Sequence, residues 1–341
     1  VTPGEVVIAR HEQTSGPAAP LDPRHPDFYR AVEPLIALRR VIPFLGLGVY
    51  GSGPLSAFAL TSKIAGLAGL KAEEPYPLAT AAEYLERMRE DRDIFLIQLR
   101  EILEEQSRSA KPLAVHDLVT EMEPPIMIIS ATYDQILERR LEQEGKPFVV
   151  VSHILRSDGG LHDGKVLAVR TVPVKSVEIC LADDLVLKES NERVIYKVMG
   201  CPFLQECAGA DSGIDTVVIT ETDHLKFLGR LDNQHTTVPT AFSLPFRKRS
   251  LLFLGYSLDV WQYRLVMGVF GQQSQRSPDA GRQPASPGEV SGLPSKRKTF
   301  YAVRQPTSPI EELCWTRLGA DLIRSDPEAF AQAVRSSLAR R

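Results

Sequence analysis

Four glycines, Gly46, Gly48, Gly51 and Gly53, crowd the stretch "VIPFLGLGVYGSGPLS", between an apolar run, Val41–Leu45, and a proline that leads into a helical pattern. A glycine-rich turn after a buried strand lets backbone N–H groups approach a pyrophosphate closely, and a following helix N-terminus adds favourable charge. Gly46-x-Gly48-x-x-Gly51 fits the dinucleotide-loop pattern, and it has the strand before and helix after that the pattern requires. The plain alternative is a tight structural turn. An ordinary dehydrogenase is disfavoured, because no acidic residue closes a second strand about 20 residues later to meet a ribose. A second turn, Gly255-Tyr256-Ser257, follows the strongest apolar run. Its hydroxyl and N–H groups at a helix start suit an anionic ligand, or Ser257 simply caps the helix that begins at Leu258. Tyr133 offers a ring for stacking or for core packing, and Lys197 a cation for a phosphate or for a strand edge.

Elements that would position these residues alternate along the chain. The spacing predicts a helix over Pro26–Arg40, the strand Val41–Leu45, and then helical periodicity only, from residue 55 to 121. "PPIMIISAT" reads as a strand buried on both faces, "YDQILERRLEQEG" as a helix stopped at Gly145, and "KPFVVVSH" as the next strand. A more exposed β region covers "GKVLAVR" and "VKSVEICL" and ends in "RVIYKVMG". Strand "DTVVIT", helix "ETDHLKFLGRL", strand "RSLLFLGYS", helix "LDVWQYRLVMGVF", strand "TFYAVRQ", helix "SPIEELCWTRLG", strand "ADLIRS" and a last helix from Asp326 complete the series. Such alternation predicts an α/β, Rossmann-like fold: a mostly parallel sheet covered by helices on both faces, with a helical insertion after the first strand. Residues 1–25 read as a leader or linker, residues 26–341 as one domain with a helical module at 55–121, and 272–295 as a flexible low-complexity loop. The first and last residues suggest a piece of a longer chain or an assembly subunit.

At 341 residues, 43% hydrophobic and a formal charge of −3, the chain supports a sizeable core and gives no basic field for nucleic acid. No apolar run approaches the ~20 residues of a bilayer span, so the expected location is the cytoplasm. Cys180, Cys201, Cys207 and Cys314 lack CxxC spacing, which predicts reduced thiols and no zinc.

Taken in order, the segments resemble the sirtuin-like NAD-hydrolysing domains of bacterial immune proteins, from about Pro26 to Leu338. The family's strand and G-A-G-V-S loop correspond to "GLGVYGSG", its T-T-N-Y-D strand end and L-L-E helix to "SATYDQILE", and its Y-K-L-H-G to "YKVMG". The block "LLFLGYSLDVWQYR" and the closing "YAVRQPTSPIEELCWTRLGADLI" follow in register with the family's order. The resemblance implies NAD, or an ADP-ribose-type nucleotide, held by Gly46, Leu47, Gly48, Val49, Tyr50, Tyr133, Gly255, Tyr256 and Ser257. It also implies an asparagine, a histidine and an aspartate that act on the nicotinamide–ribose bond.

Here the sequence departs from the family. The asparagine position is Thr132 and the histidine position is Met199; only Asp134 is kept. Threonine cannot present a carboxamide's paired groups, and methionine carries no titratable proton. Loss of an acid–base group typically forfeits ~10²–10⁴ in rate. His153, at the end of a strand neighbouring that of Asp134, is the one histidine expected to be able to substitute. The leading expectation is therefore a nucleotide-binding, catalytically degenerate domain of an immune effector. The alternatives are an active NAD glycohydrolase that depletes NAD during abortive infection, and a structural or oligomerisation module whose pocket Leu47, Tyr50 and Met199 fill. Further domains or subunits of a defence complex, or a second copy of the chain, are the expected partners; a membrane and nucleic acid are not.

Overall fold

The computed structural model describes residues 29, 32–71, 76–171, 175–187, 192–209, 213–232, 238–273 and 300–340. The leader, all of the 272–295 loop beyond Gln273, and His11, His25 and His235 lie outside them. Nine strands form a single sheet in the order β5-β4-β3-β6-β2-β1-β7-β8-β9. These are β1 Val41–Leu45, β2 Ile126–Ser130, β3 Phe148–His153, β4 Val166–Arg170, β5 Ser176–Cys180, β6 Arg193–Lys197, β7 Ser250–Leu254, β8 Phe300–Val303 and β9 Ala320–Ile323. All neighbours run parallel except β3–β4 and β4–β5, which are antiparallel at one edge. Of the three segments expected to be more exposed, only β5 is partly covered; β4 and β6 are buried throughout, β6 because it lies inside the sheet between β2 and β3.

Every residue of β1, β2, β3, β4 and β6 is buried, as continuous apolar runs in a sheet covered on both faces must be. The order reverses at β1. The chain leaves it toward β2, β3 and β6 on one side and later returns on the other through β7, β8 and β9. Open parallel sheets of this kind place their ligand crevice at such a reversal, beyond the carboxyl ends of the strands.

The insertion between β1 and β2 holds α2 Ala57–Leu67, α3 Leu78–Arg89, α4 Arg92–Ser109 and α5 Ala114–Glu121. The helical periodicity expected over 55–121 is four helices among the described residues, and the part that runs on from residue 78 to 109 is two of them. Glu90 takes a left-handed φ of 56°, and Asp91 caps α4 by accepting from the Asp93 and Ile94 N–H groups. The first helix, α1, is only Glu33–Ala37 among the described residues, shorter than the expected Pro26–Arg40; Arg39 behind it has a positive φ of 56°. After β2 come α6 Ile136–Gln143, α7 Leu204–Ala208, α8 Glu221–Asp232, α9 Ser243–Lys248, α10 Trp261–Gln273, α11 Pro309–Arg317 and α12 Pro327–Leu338.

One expected strand is absent. "DTVVIT" is buried but irregular, with one β-bridge, Asp215 to Arg156, and a Val218 N–H bond to the Met199 carbonyl at 3.0 Å. Both sides of β6 are already taken by β2 and β3, so this apolar segment cannot pair with the strand it follows. It is pinned by ions instead: Arg92 meets Asp215 at 2.9 Å and Asp223 at 3.1 Å and donates to the Val217 carbonyl, while Arg156 meets Asp223 at 2.6 Å. The coil thereby ties the helical insertion to the start of α8.

Candidate functional site

Where the chain leaves β1, it makes a short 3-10 turn, Leu47–Tyr50, that is locked onto the turn after β7. The Gly46 N–H donates to the Leu254 carbonyl at 3.0 Å and the Gly48 N–H to the Gly255 carbonyl at 2.9 Å. A Cβ on Gly48 would lie 2.5 Å from the Gly255 oxygen, and one on Gly255, where φ is +65°, would lie 2.2 Å from the Val49 nitrogen. Two backbone loops therefore pass at a separation only glycine permits.

Above them lies a cavity of about 970 Å³, at the carboxyl ends of β1, β2, β7 and β8 and walled on the far side by α2 and the start of α3. Of the residues expected to hold a nucleotide, Gly46, Leu47, Gly48, Tyr133, Gly255, Tyr256 and Ser257 line it, whereas Val49 and Tyr50 are not on its wall. Arg304, at the end of β8, and Thr307 also line it. The volume matches pockets that enclose drug-sized or larger ligands. Glycine backbone, the Ser257 hydroxyl and the Arg304 guanidinium on one wall are groups that suit a pyrophosphate and ribose, so the residues present fit a nucleotide.

Glu311, fully buried on α11, organises that wall. Its Oε1 accepts from the Ser257 hydroxyl at 3.1 Å and the Leu258 N–H at 3.0 Å, its Oε2 accepts from the Thr307 N–H at 3.1 Å, and it pairs with Arg304 Nε at 2.7 Å. Ser257 also accepts from the Asp259 N–H at 3.2 Å, so it caps the turn before α10, which begins at Trp261, three residues after the expected Leu258. The Asp259 carboxylate meets Thr307, Ser308 and Arg304. It does not face Arg264, whose guanidinium donates to the Leu258 and Asp259 carbonyls.

The residues expected to do chemistry lie elsewhere. Asp134, Thr132, Met199 and His153 are all buried, and none lines the cavity. Tyr50 reaches down from the glycine turn and donates its hydroxyl to Asp134 Oδ2 at 2.7 Å, with His116 Nε2 3.4 Å from the same hydroxyl. Asp134 Oδ1 accepts from the Ile136 N–H at 2.9 Å. Lys197 Nζ donates to the Asp134 carbonyl at 2.5 Å and pairs with Glu138 at 2.9 Å. Thr132 turns to Ser130, hydroxyl to hydroxyl at 3.0 Å. Met199 is fully enclosed in the core.

Electrostatics follow this packing. Burial pushes the Asp134 carboxyl up, but Lys197, the Ile136 N–H, His116 and the Tyr50 hydroxyl together outweigh it and hold it below the usual carboxylate range. Burial, then Asp134, raise the Tyr50 phenol. Burial lowers His116 despite the opposing pull of Asp134. Burial alone would lower Lys197, and Glu138 and Asp134 more than reverse that. His153 packs edge-on to Tyr196 and Phe227, and burial with the nearby Arg230 depresses it to about 4.

Sequence reasoning did not single out Glu311, Arg304 or the contact of His116 with Tyr50. Ser257 and Glu311 stand 54 residues apart and Tyr50 and His116 66, and no local spacing signals either contact.

A reversed parallel sheet with glycine turns at a crevice defines a Rossmann-like nucleotide-site architecture. Residues 126–285 match the sequence model of the family described as SIR2-like domain, a stretch similar to that family. The match runs from β2 through Asp134, Met199 and the Gly255–Ser257 turn, and the glycine turn after β1 precedes it. No curated protein matches the chain. Among the described residues, no group of three or more His, Cys, Asp or Glu side chains is placed to hold a metal ion, and no helix is long and apolar enough to cross a membrane.

Proposed function

We propose that this domain binds NAD or an ADP-ribose-type nucleotide in the cavity at the ends of β1, β2, β7 and β8, and that it is degenerate for cleavage. The observation that carries the reading is the separation of the two halves of the expected site. The binding turns line an open cavity, while Asp134 sits behind them under the Tyr50 hydroxyl. The glycine turns and Ser257 would lie along the phosphates and ribose, Arg304 would meet negative charge, and Tyr133 and Tyr256 would face the rings. The open volume favours this over a module whose pocket is filled, because Tyr50 and Met199 are packed behind the cavity wall.

In the setting the resemblance implies, the domain would serve a bacterial immune effector as a nucleotide sensor, together with further domains, subunits or a second copy. The test is direct. ADP-ribose at a hundredfold excess over its Kd stabilises a native-state binder by ~2.7 kcal/mol, which thermal melting resolves. Micromolar protein should release no detectable nicotinamide from NAD over hours. Absence of any nucleotide-induced shift would refute binding, and brisk cleavage abolished by Asp134→Ala would refute degeneracy.

A second reading, hydrolysis of NAD, draws on the placement of His116 Nε2 beside the hydroxyl that holds Asp134. Turnover by that route would fall in His116→Ala and be indifferent to His153→Ala.

A further inference from the structure

The net charge of −3 hides a segregated positive edge. Arg39 and Arg40 stand immediately before β1, and Arg247, Lys248 and Arg249 immediately before β7. The two strands are parallel neighbours with Val41 opposite Ser250, and the Ser250 N–H donates to the Arg40 carbonyl at 2.8 Å. Arg40 and Arg249 therefore hold adjacent positions at the amino ends of paired strands. Arg39 reaches the other way, donating Nη1 to the Pro124 carbonyl at 2.8 Å, just ahead of β2. The five cations thus span the amino ends of β2, β1 and β7, about 10 Å at the usual strand spacing. Arg39, Arg40, Arg247 and Lys248 are exposed, and Arg249 is half-buried. None of the five forms an ion pair among the described residues, whereas most other described arginines do, Arg92, Arg170 and Arg335 among them. Arg247 and Lys248 close α9, and a helix C-terminus favours cations, but α9 has only six residues and Arg39 and Arg40 belong to another segment. Cations gathered without counter-charge repel one another, a cost that a polyanion relieves. The cavity opens at the opposite, carboxyl ends of the strands, so it makes no use of them.

Side-chain types at this edge point to phosphate. Four of the five cations are arginines, whose planar fork fits phosphate oxygens. Residues 34–40 and 243–249 include one aromatic, Phe246, and it is buried, so no ring is offered for stacking on single-stranded bases. The exposed apolar side chains alongside are Leu38 and Leu244, too little area to anchor in a bilayer. Charge without stacking suits the continuous backbone of a duplex, contacted independently of its sequence. We propose that Arg39, Arg40, Arg247, Lys248 and Arg249 bind the phosphate backbone of a nucleic-acid duplex, on the side of the domain away from the cavity. The expectation that nucleic acid is no partner rested on net charge, which averages this edge with the rest of the chain.

Fluorescence anisotropy of the full chain with short labelled duplexes tests this, with DNA and RNA duplexes of equal length to tell which backbone is preferred. If about four of the cations meet phosphates of DNA, log K should fall against log[salt] with a slope of about −3.6, roughly a 150-fold loss between about 50 and 200 mM salt. A duplex of unrelated sequence should bind equally well. The double variant Arg247→Ala, Lys248→Ala should reduce the steepness of that slope by about 2 and weaken low-salt binding about tenfold or more. Arg87→Ala with Arg108→Ala removes the same charge from side chains that are 74% and 79% exposed elsewhere, and should leave binding near wild type. No binding of either duplex at low salt, a strong preference for one sequence, or wild-type binding by the Arg247→Ala, Lys248→Ala variant would overturn the proposal. So would capture of the chain by phosphatidylserine vesicles in place of duplex. Nucleotide binding in the cavity stands or falls separately from every one of these results.

Discussion

Tyr50→Phe isolates the contact that separates the cavity from Asp134. The substitution keeps the ring and removes one oxygen, which donates to Asp134 Oδ2 at 2.7 Å between two side chains that are 7% and 2% exposed. A hydrogen bond to a buried charged acceptor contributes roughly 1.5–3 kcal/mol. The expected loss is therefore about 2 kcal/mol, read as a fall in the urea midpoint at constant m-value and a drop of several degrees in Tm. The pH dependence has a definite sign. Asp134 is held below its unfolded value, so its contribution is present above the ordinary carboxylate pKa of about 4 and is lost as pH falls through the folded value. The Tyr50 hydroxyl is one of the groups that hold it down, so the gap between wild type and variant should be widest near neutrality and narrow on acidification, as the charged acceptor becomes a neutral acid. A gap below ~0.5 kcal/mol at neutral pH, or one that widens as pH falls, would refute the reasoning.

Two further variants probe the neighbouring carboxylates. Lys197→Met removes the cation paired with Glu138 at 2.9 Å and leaves Glu138 and Asp134 buried without it, so unfolding experiments should show a loss of about 3–5 kcal/mol, largely recovered when Glu138→Gln is added. Glu311→Gln weakens its grip on Arg304, Ser257, Leu258 and Thr307 together; ADP-ribose titration should show binding about tenfold weaker, with near-wild-type far-UV circular dichroism.

Much of the sheet was legible because strands buried on both faces announce themselves as short apolar runs between helical periods, as in "PPIMIISAT" and "RSLLFLGYS". The same signal misled at "DTVVIT". Its residues are as apolar and β-branched as those of a strand, yet pairing is decided by which sheet edges are free, and β6 offers none. The break at Glu90 was readable in principle, since Asp91 is a strong N-cap residue, but the unbroken periodicity on either side masked it. The glycine spacing was informative in a way that the motif alone does not convey. Gly46 and Gly48 line the cavity, and their lack of side chains also lets the turn after β1 cross the turn after β7. Glu311 was only half legible: its bond to the Thr307 N–H and the Ser308 cap are local to the helix start, but only the fold brings Ser257, 54 residues away, to it.

The buried cluster is also poorly suited to moving protons, on grounds independent of the missing asparagine and histidine. General acid–base groups work best with pKa values near the working pH. Here Asp134 is driven down, away from the range of a useful base, and Tyr50 and Lys197 are driven up, away from that of a useful acid. His116 is lowered by burial and shares the Tyr50 hydroxyl. Glu138 alone is shifted toward neutrality, and it is committed to Lys197. Burial is the first cause of the Tyr50, His116 and Glu138 shifts, and the neighbouring charges set those of Asp134 and Lys197. The result is a polar clamp that fixes the glycine turn from behind and leaves its front edge on the wall of the cavity. A turn held in this way is pre-organised for a ligand, and under the nucleotide-binding proposal above the buried cluster would serve binding by fixing that turn.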